Sequence, residues 1–132
     1  MTSRPLSPHL GIYRKQITTV LSITHRMTGL ALVAGTLLLV TWLCSAAYAP
    51  RLYPQLRDCI ASPIGQLLLL GWTVSFYFHL ANGVRHLFWD IGKGFSLPAA
   101  ARSGWLVVIF AIAMTAFTWG VMHTDLSHIG EL

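Results

Sequence analysis

Charge is what this sequence has least of. Charged types make up 10% of its 132 residues, well under half of the ~25% usual in a soluble domain. Three windows, 27–49, 61–84 and 103–124, contain no Asp, Glu, Lys or Arg at all. Cysteine is also scarce. Cys44 and Cys59 form no metal-ligand pattern, and no Cys-x-x-Cys-His haem-attachment motif is present. There is no internal repeat and no low-complexity tract. These absences exclude a soluble globular enzyme, a disordered tail and a nucleic-acid binder. The sequence pI near 9.8 does not rescue the last, because too little exposed chain remains to build a reading surface.

What is present is apolar. Hydrophobic types reach 55% and mean hydropathy is +0.62. Each charge-free window exceeds the ~20 residues needed to cross ~30 Å of hydrocarbon at ~1.5 Å per residue. The residues outside them are too few for a second stable domain. The expectation is one all-α integral membrane domain over 1–132, with three transmembrane helices at about 18–49, 63–90 and 103–123 and an arm over 1–17. Pro5, Pro8 and Gly11 suit an extended arm. Pro50 and Pro54 end the first helix, Pro63 fits the first turn of the second, and Gly92 and Gly94 terminate it. Trp42, Tyr48, Trp89, Trp105 and Trp119 fall where interfacial aromatic belts occur. Cys44 reads as a buried thiol.

Orientation follows from Lys and Arg. Arg4, Arg14, Lys15, Arg26, Arg85, Lys93 and Arg102 gather on one side, against Arg51 and Arg57 on the other. The N-terminus is therefore expected in the cytoplasm, or in the matrix of an organelle, and the C-terminus outside. The small residues at 45–49 look like a cleavage site, but the apolar run before them is too long and starts too late for a signal peptide. No Arg- and Ser-rich transit segment is evident, which favours a bacterial inner membrane or a mature organellar chain.

The chemically informative residue is His79, about six residues from the end of its charge-free span and so roughly 9 Å inside by helical rise. An ionisable group at that depth is a functional candidate. Two readings stand: a neutral imidazole bonded to a neighbouring helix, or a ligand to a b-type haem iron. Gly83, one turn on, would let a flat macrocycle approach, or would serve tight helix packing. His86 is seven residues further on the same face, so it cannot approach one iron from the opposite side. His25 lies on another helix near the polar boundary. The second axial ligand is either His25 or, as the arrangement the positions favour, a histidine of a partner chain.

Ser22, His25, Arg26 and Gly29 are spaced i, i+3, i+4, i+7, as one helical face. A hydroxyl, an imidazole and a guanidinium at the membrane boundary suit a quinone head, whose carbonyls accept hydrogen bonds. The bland alternative is a snorkelling Arg26 at a helix start. Asp90 could pair with His86, relay protons, or serve as an exposed partner of Arg85 or Lys93.

Three stretches carry a resemblance: Arg4 to Tyr13 (RPLSPHLGIY), Ser22 to Gly29 (SITHRMTG) and His79 to Asp90 (HLANGVRHLFWD). Together they resemble the cytochrome b membrane-anchor subunits of succinate dehydrogenase, respiratory complex II. The patterns S-x-x-H-R-x-(S/T)-G and H-x-x-x-G-x-R-H-x-x-x-D are long and specific. The resemblance implies half of a heterodimeric haem-binding helical bundle. It implies an electron-transport role in the tricarboxylic acid cycle without succinate chemistry of the chain's own. The implied partners are a flavoprotein subunit, an iron–sulfur subunit, a second membrane-anchor subunit and the lipid bilayer. By the same resemblance His79 is the axial ligand of one shared haem b, His25 and His86 lie near its propionates, and Ser22 and Arg26 bind ubiquinone. A haem-free structural anchor and the anchor of a quinol:fumarate reductase are the rival readings.

Overall fold

The computed structural model describes the backbone of residues 16–129 and the side chains of residues 16–124. The arm expected over 1–17, with the first resembling stretch, thus lies outside the described residues except for its last two positions. Every described element is helical. In chain order these are α1 (Ile17–Tyr48), α2 (Tyr53–Ala61), α3 (Pro63–Asp90) and α4 (Leu97–Ile129). α1, α3 and α4 hold 32, 28 and 33 residues. At ~1.5 Å per residue each is longer than the ~30 Å of hydrocarbon, and each has the apolar composition of a membrane span.

Local sequence explains the helix ends. Ser62 precedes Pro63 and caps α3 by accepting from the Gly65 amide at 3.1 Å, satisfying one of the amides a helix start leaves open. At the other end Gly92 takes φ +76 and Gly94 φ +85. The Gly92 amide donates to the Trp89 carbonyl at 2.8 Å and the Lys93 amide to the Phe88 carbonyl at 3.0 Å. This is the Schellman closure that a left-handed glycine makes available.

Three boundaries depart from the expectation, one being the end of α4, which runs to Ile129 rather than stopping at about 123. The first connection is not wholly loop, because Pro54 opens the short helix α2 rather than only stopping α1. α4 begins at Leu97, six residues before the expected start. Pro98 in its first turn and the following alanines are good helix-start chemistry, whereas the end of the charge-free window marks only where Arg102 appears.

α3 packs against both α4 and α1, while α1 and α4 meet less extensively. Leu21, Phe78, Val107 and Ala111 form the buried core, flanked by Ile17, Tyr77, Ala81 and Val108. The core therefore sits where the start of α1, the later half of α3 and the first half of α4 converge. Elsewhere the bundle exposes its apolar side chains, including Leu30, Leu37, Leu67 and Leu106. That surface suits lipid or an apolar partner and is costly in water. Cys44 is part of it: contrary to the expectation of a buried thiol, it is exposed, as is Cys59. In a chain whose exterior is apolar, an apolar sequence position does not point inward.

Candidate functional site

The last third of α3 and the first turns of α1 bring three imidazoles together. The His25 and His79 rings stack with centroids 3.9 Å apart and planes 12° from parallel. The His86 ring lies 5.1 Å from that of His25, at 20°. His25 thus stands against both histidines of α3, which are about two helix turns apart. No group of three His, Cys, Asp or Glu suited to a metal ion occurs among the described residues.

The hydrogen bonds decide which nitrogen of His79 is available. Its Nδ1 lies 3.1 Å from the His25 carbonyl oxygen and 3.2 Å from Thr28 Oγ1. Thr28 spends its own hydrogen on that same carbonyl, at 2.9 Å. A carbonyl has no proton to give, so Nδ1 carries the hydrogen and donates. The Nε2 lone pair is left free, with no hydrogen-bond partner among the described residues. A neutral imidazole anchored through one nitrogen and open at the other is the usual metal-ligand state.

The surroundings agree with a flat group beside this nitrogen. A Cβ built on Gly83 meets nothing within 4 Å, so tight packing inside this chain does not require that glycine. His25 Nδ1 is buried without a hydrogen-bond partner. His86 donates from Nδ1 to the Asn82 carbonyl at 2.7 Å, since that acceptor is also a carbonyl, and it packs edge-on against Trp89 at 5.2 Å. No ion pair between His86 and Asp90 occurs among the described residues. The residues fit a haem held from one side.

The expected single face on α1 divides. His25 and Gly29 face His79, and the Cβ of a residue at 29 would meet the ring. Ser22 and Arg26 are exposed and make no hydrogen bond or ion pair among the described residues. They sit at the border between the packed and open sides of α1, close in sequence to the imidazoles but not bonded to them.

Sequence reasoning missed the role of Arg85, read only as a topology charge or a partner for Asp90. The structure buries it, 5% exposed, between α3 and α4. Its Nε donates to Ser103 Oγ at 2.9 Å, one terminal nitrogen to Asn82 Oδ1 at 3.3 Å and the other to the Ala100 carbonyl at 3.0 Å. Its guanidinium carbon lies 4.0 Å from the centre of the Trp89 ring. Asp90 is exposed and forms no salt bridge among the described residues. The spacing Asn82, Arg85, Trp89 (i, i+3, i+7) was the available signal. A cavity of about 430 Å³ opens beside Arg85 between α3 and α4, but Ser22, His25, Arg26 and His79 do not line it.

Comparison with known proteins agrees with the sequence resemblance. The profile of the family "Succinate dehydrogenase/Fumarate reductase transmembrane subunit" matches residues 2–118. The succinate dehydrogenase cytochrome b556 subunit of Rickettsia prowazekii (strain Madrid E) is 47% identical over 116 residues, covering 88% of this chain and 90% of that protein. The subunit of the same name from Paracoccus denitrificans is 35% identical, with 88% and 89% covered. The mitochondrial succinate dehydrogenase cytochrome b560 subunit of Sus scrofa is 36% identical over 113 residues, with 84% and 67% covered.

Proposed function

The chain belongs to the succinate dehydrogenase/fumarate reductase transmembrane subunit family, and from that premise we propose that it is the cytochrome b anchor of a succinate:ubiquinone oxidoreductase in a bacterial or mitochondrial inner membrane. The observation that carries the haem reading is the state of His79, with Nδ1 donating and Nε2 open. His79 would hold the iron of one haem b shared with a second membrane-anchor subunit, a histidine of which would supply the other ligand. His25 and His86 lie toward the propionates. When bound, the haem supplies a one-electron centre whose potential is set by its axial ligands and burial.

The chain's own contributions are anchoring and positioning. Three apolar spans fix the complex in the bilayer, and the exposed charges Arg26, Lys93 and Arg102 form the docking face for the iron–sulfur subunit, with the flavoprotein subunit beyond it. On this reading the docking face is cytoplasmic or matrix-side, and succinate chemistry belongs to the flavoprotein. Ser22 and Arg26 hold the ubiquinone head at the border of the bundle. The Ser22 hydroxyl donates to a quinone carbonyl. The Arg26 guanidinium stabilises the negative charge that grows on the quinone oxygen, an interaction that strengthens as electrons arrive.

The test is purification of the complex in mild detergent. The three partner subunits should co-purify with a low-spin b-type visible spectrum, and His79→Leu should abolish or change that spectrum. An assembled His79→Leu complex with an unaltered spectrum would remove the haem assignment.

A further inference from the structure

We infer that Thr28 and Gly29 are positioning residues for His79: the hydroxyl and the missing side chain hold the imidazole in the tautomer and at the distance from α1 that present Nε2 to iron. The inference rests on the haem reading above and adds residues that reading does not use. The stretch from His25 to Gly29 offers the ring three things within little more than one helix turn. The His25 carbonyl accepts from Nδ1 at 3.1 Å. Thr28 Oγ1 lies 3.2 Å from the same nitrogen. Because its hydrogen is committed to the His25 carbonyl at 2.9 Å, it presents a lone pair there. Two acceptors therefore face Nδ1, and the alternative tautomer would set its lone pair against both. That repulsion selects the Nδ1–H form and leaves the Nε2 lone pair as the one that can meet a metal.

Gly29 sets the approach. A Cβ at this position would lie 3.1 Å from His79 Cε1 and 3.7 Å from Nδ1. The first distance is tighter than an ordinary contact, so any side chain there makes the ring shift or rotate. Cε1 bonds both ring nitrogens, so displacing it re-aims Nε2 directly. A purely structural Thr28 would be equally content as an intrahelical hydroxyl, and a purely structural Gly29 would tolerate movement of the ring.

The experiment uses the intact complex with Thr28→Val, Thr28→Ser and Gly29→Ala. Valine keeps the shape of threonine without its oxygen, and serine keeps the oxygen. Two readouts apply: the rate of haem loss to a haem-scavenging apoprotein, and the low-spin EPR signal, which reports axial-ring orientation. Thr28→Val should lose haem roughly tenfold faster, the scale of losing an outer-shell partner, with a displaced EPR signal. Thr28→Ser should restore both. Gly29→Ala should displace the EPR signal. Wild-type haem retention and EPR in Thr28→Val overturn the inference, and so does Thr28→Ser as damaged as Thr28→Val. Should Thr28→Val not assemble, a wild-type EPR signal in Gly29→Ala overturns it. If His79→Leu also leaves the spectrum unaltered, the haem reading itself has failed. If His79→Leu abolishes the spectrum while these variants match wild type, only the positioning role has failed.

Discussion

The two ends of the bundle are built differently. Where the start of α1, the end of α3 and the start of α4 meet, polar groups are buried and bonded. Arg85 lies in three hydrogen bonds under Trp89, three imidazoles stack, and the apolar core gathers beside them. At the other end α2 links α1 to α3 through capping bonds, and the ion pair Arg57–Asp58 at 3.1 Å is largely exposed. An exposed pair contributes about 0–1 kcal/mol. A buried guanidinium is tolerated only when its donors are satisfied. The first end therefore carries a cost that helix packing alone does not require, and the second carries almost none. In a membrane chain such asymmetry makes the first end the candidate for function.

Arg85 offers the largest way to break this contrast. Arg85→Leu leaves Ser103, Asn82 and the Ala100 carbonyl facing a gap, and should cost about 2–4 kcal/mol, since hydrogen bonds to charged groups contribute ~1.5–3 kcal/mol each before relaxation. The yield and thermal stability of the detergent-solubilised complex would register it. Arg85→Lys should recover only part, because one ammonium cannot reach three partners arranged around a planar fork.

Ser22→Ala and Arg26→Leu should leave assembly intact, because neither side chain makes a hydrogen bond or ion pair among the described residues. Ubiquinone reduction should fall roughly tenfold or more, about 1.4 kcal/mol in barrier, while succinate oxidation by a soluble dye that takes electrons before the quinone stays near normal. Equal activity in both assays would move the quinone site off this border.

Smaller effects sharpen the comparison. Arg57→Ala and Asp90→Asn should each change stability by less than about 1 kcal/mol, checked by thermal unfolding of the complex. A larger loss in Asp90→Asn would assign that carboxylate a partner outside this chain. A cysteine at Lys93 should react with an impermeant thiol reagent only from the cytoplasmic or matrix side, and labelling from the opposite side would reverse the proposed orientation.

The spans were legible in the sequence because hydrocarbon forbids charge over a fixed length, and the end of α3 was legible because Gly92 and Gly94 permit a turn few residues accept. α2 was not, since Pro54 breaks and starts helices alike. The start of α4 was obscured because Arg102 was taken for a boundary when it sits within the helix. Among site residues, His79 stood out by its depth. Its contact with His25 joins positions 54 apart in the chain, and no periodicity within one helix reports that. Arg85 was misread because a charge count treats every arginine as solvated. Thr28 sat inside a recognised motif without a role until the partner of its hydroxyl and the tautomer of His79 were known.

His86 also bonds a backbone carbonyl through Nδ1, so the proposed assignment of the iron to His79 has to be separated by experiment. It is tested most directly by low-temperature EPR and visible spectra of purified complexes carrying His79→Leu, His86→Leu or His25→Leu. The assignment predicts that the low-spin signal is lost or changed to high-spin only in His79→Leu, with the other two remaining low-spin. A low-spin spectrum that survives His79→Leu but not His86→Leu or His25→Leu would contradict it.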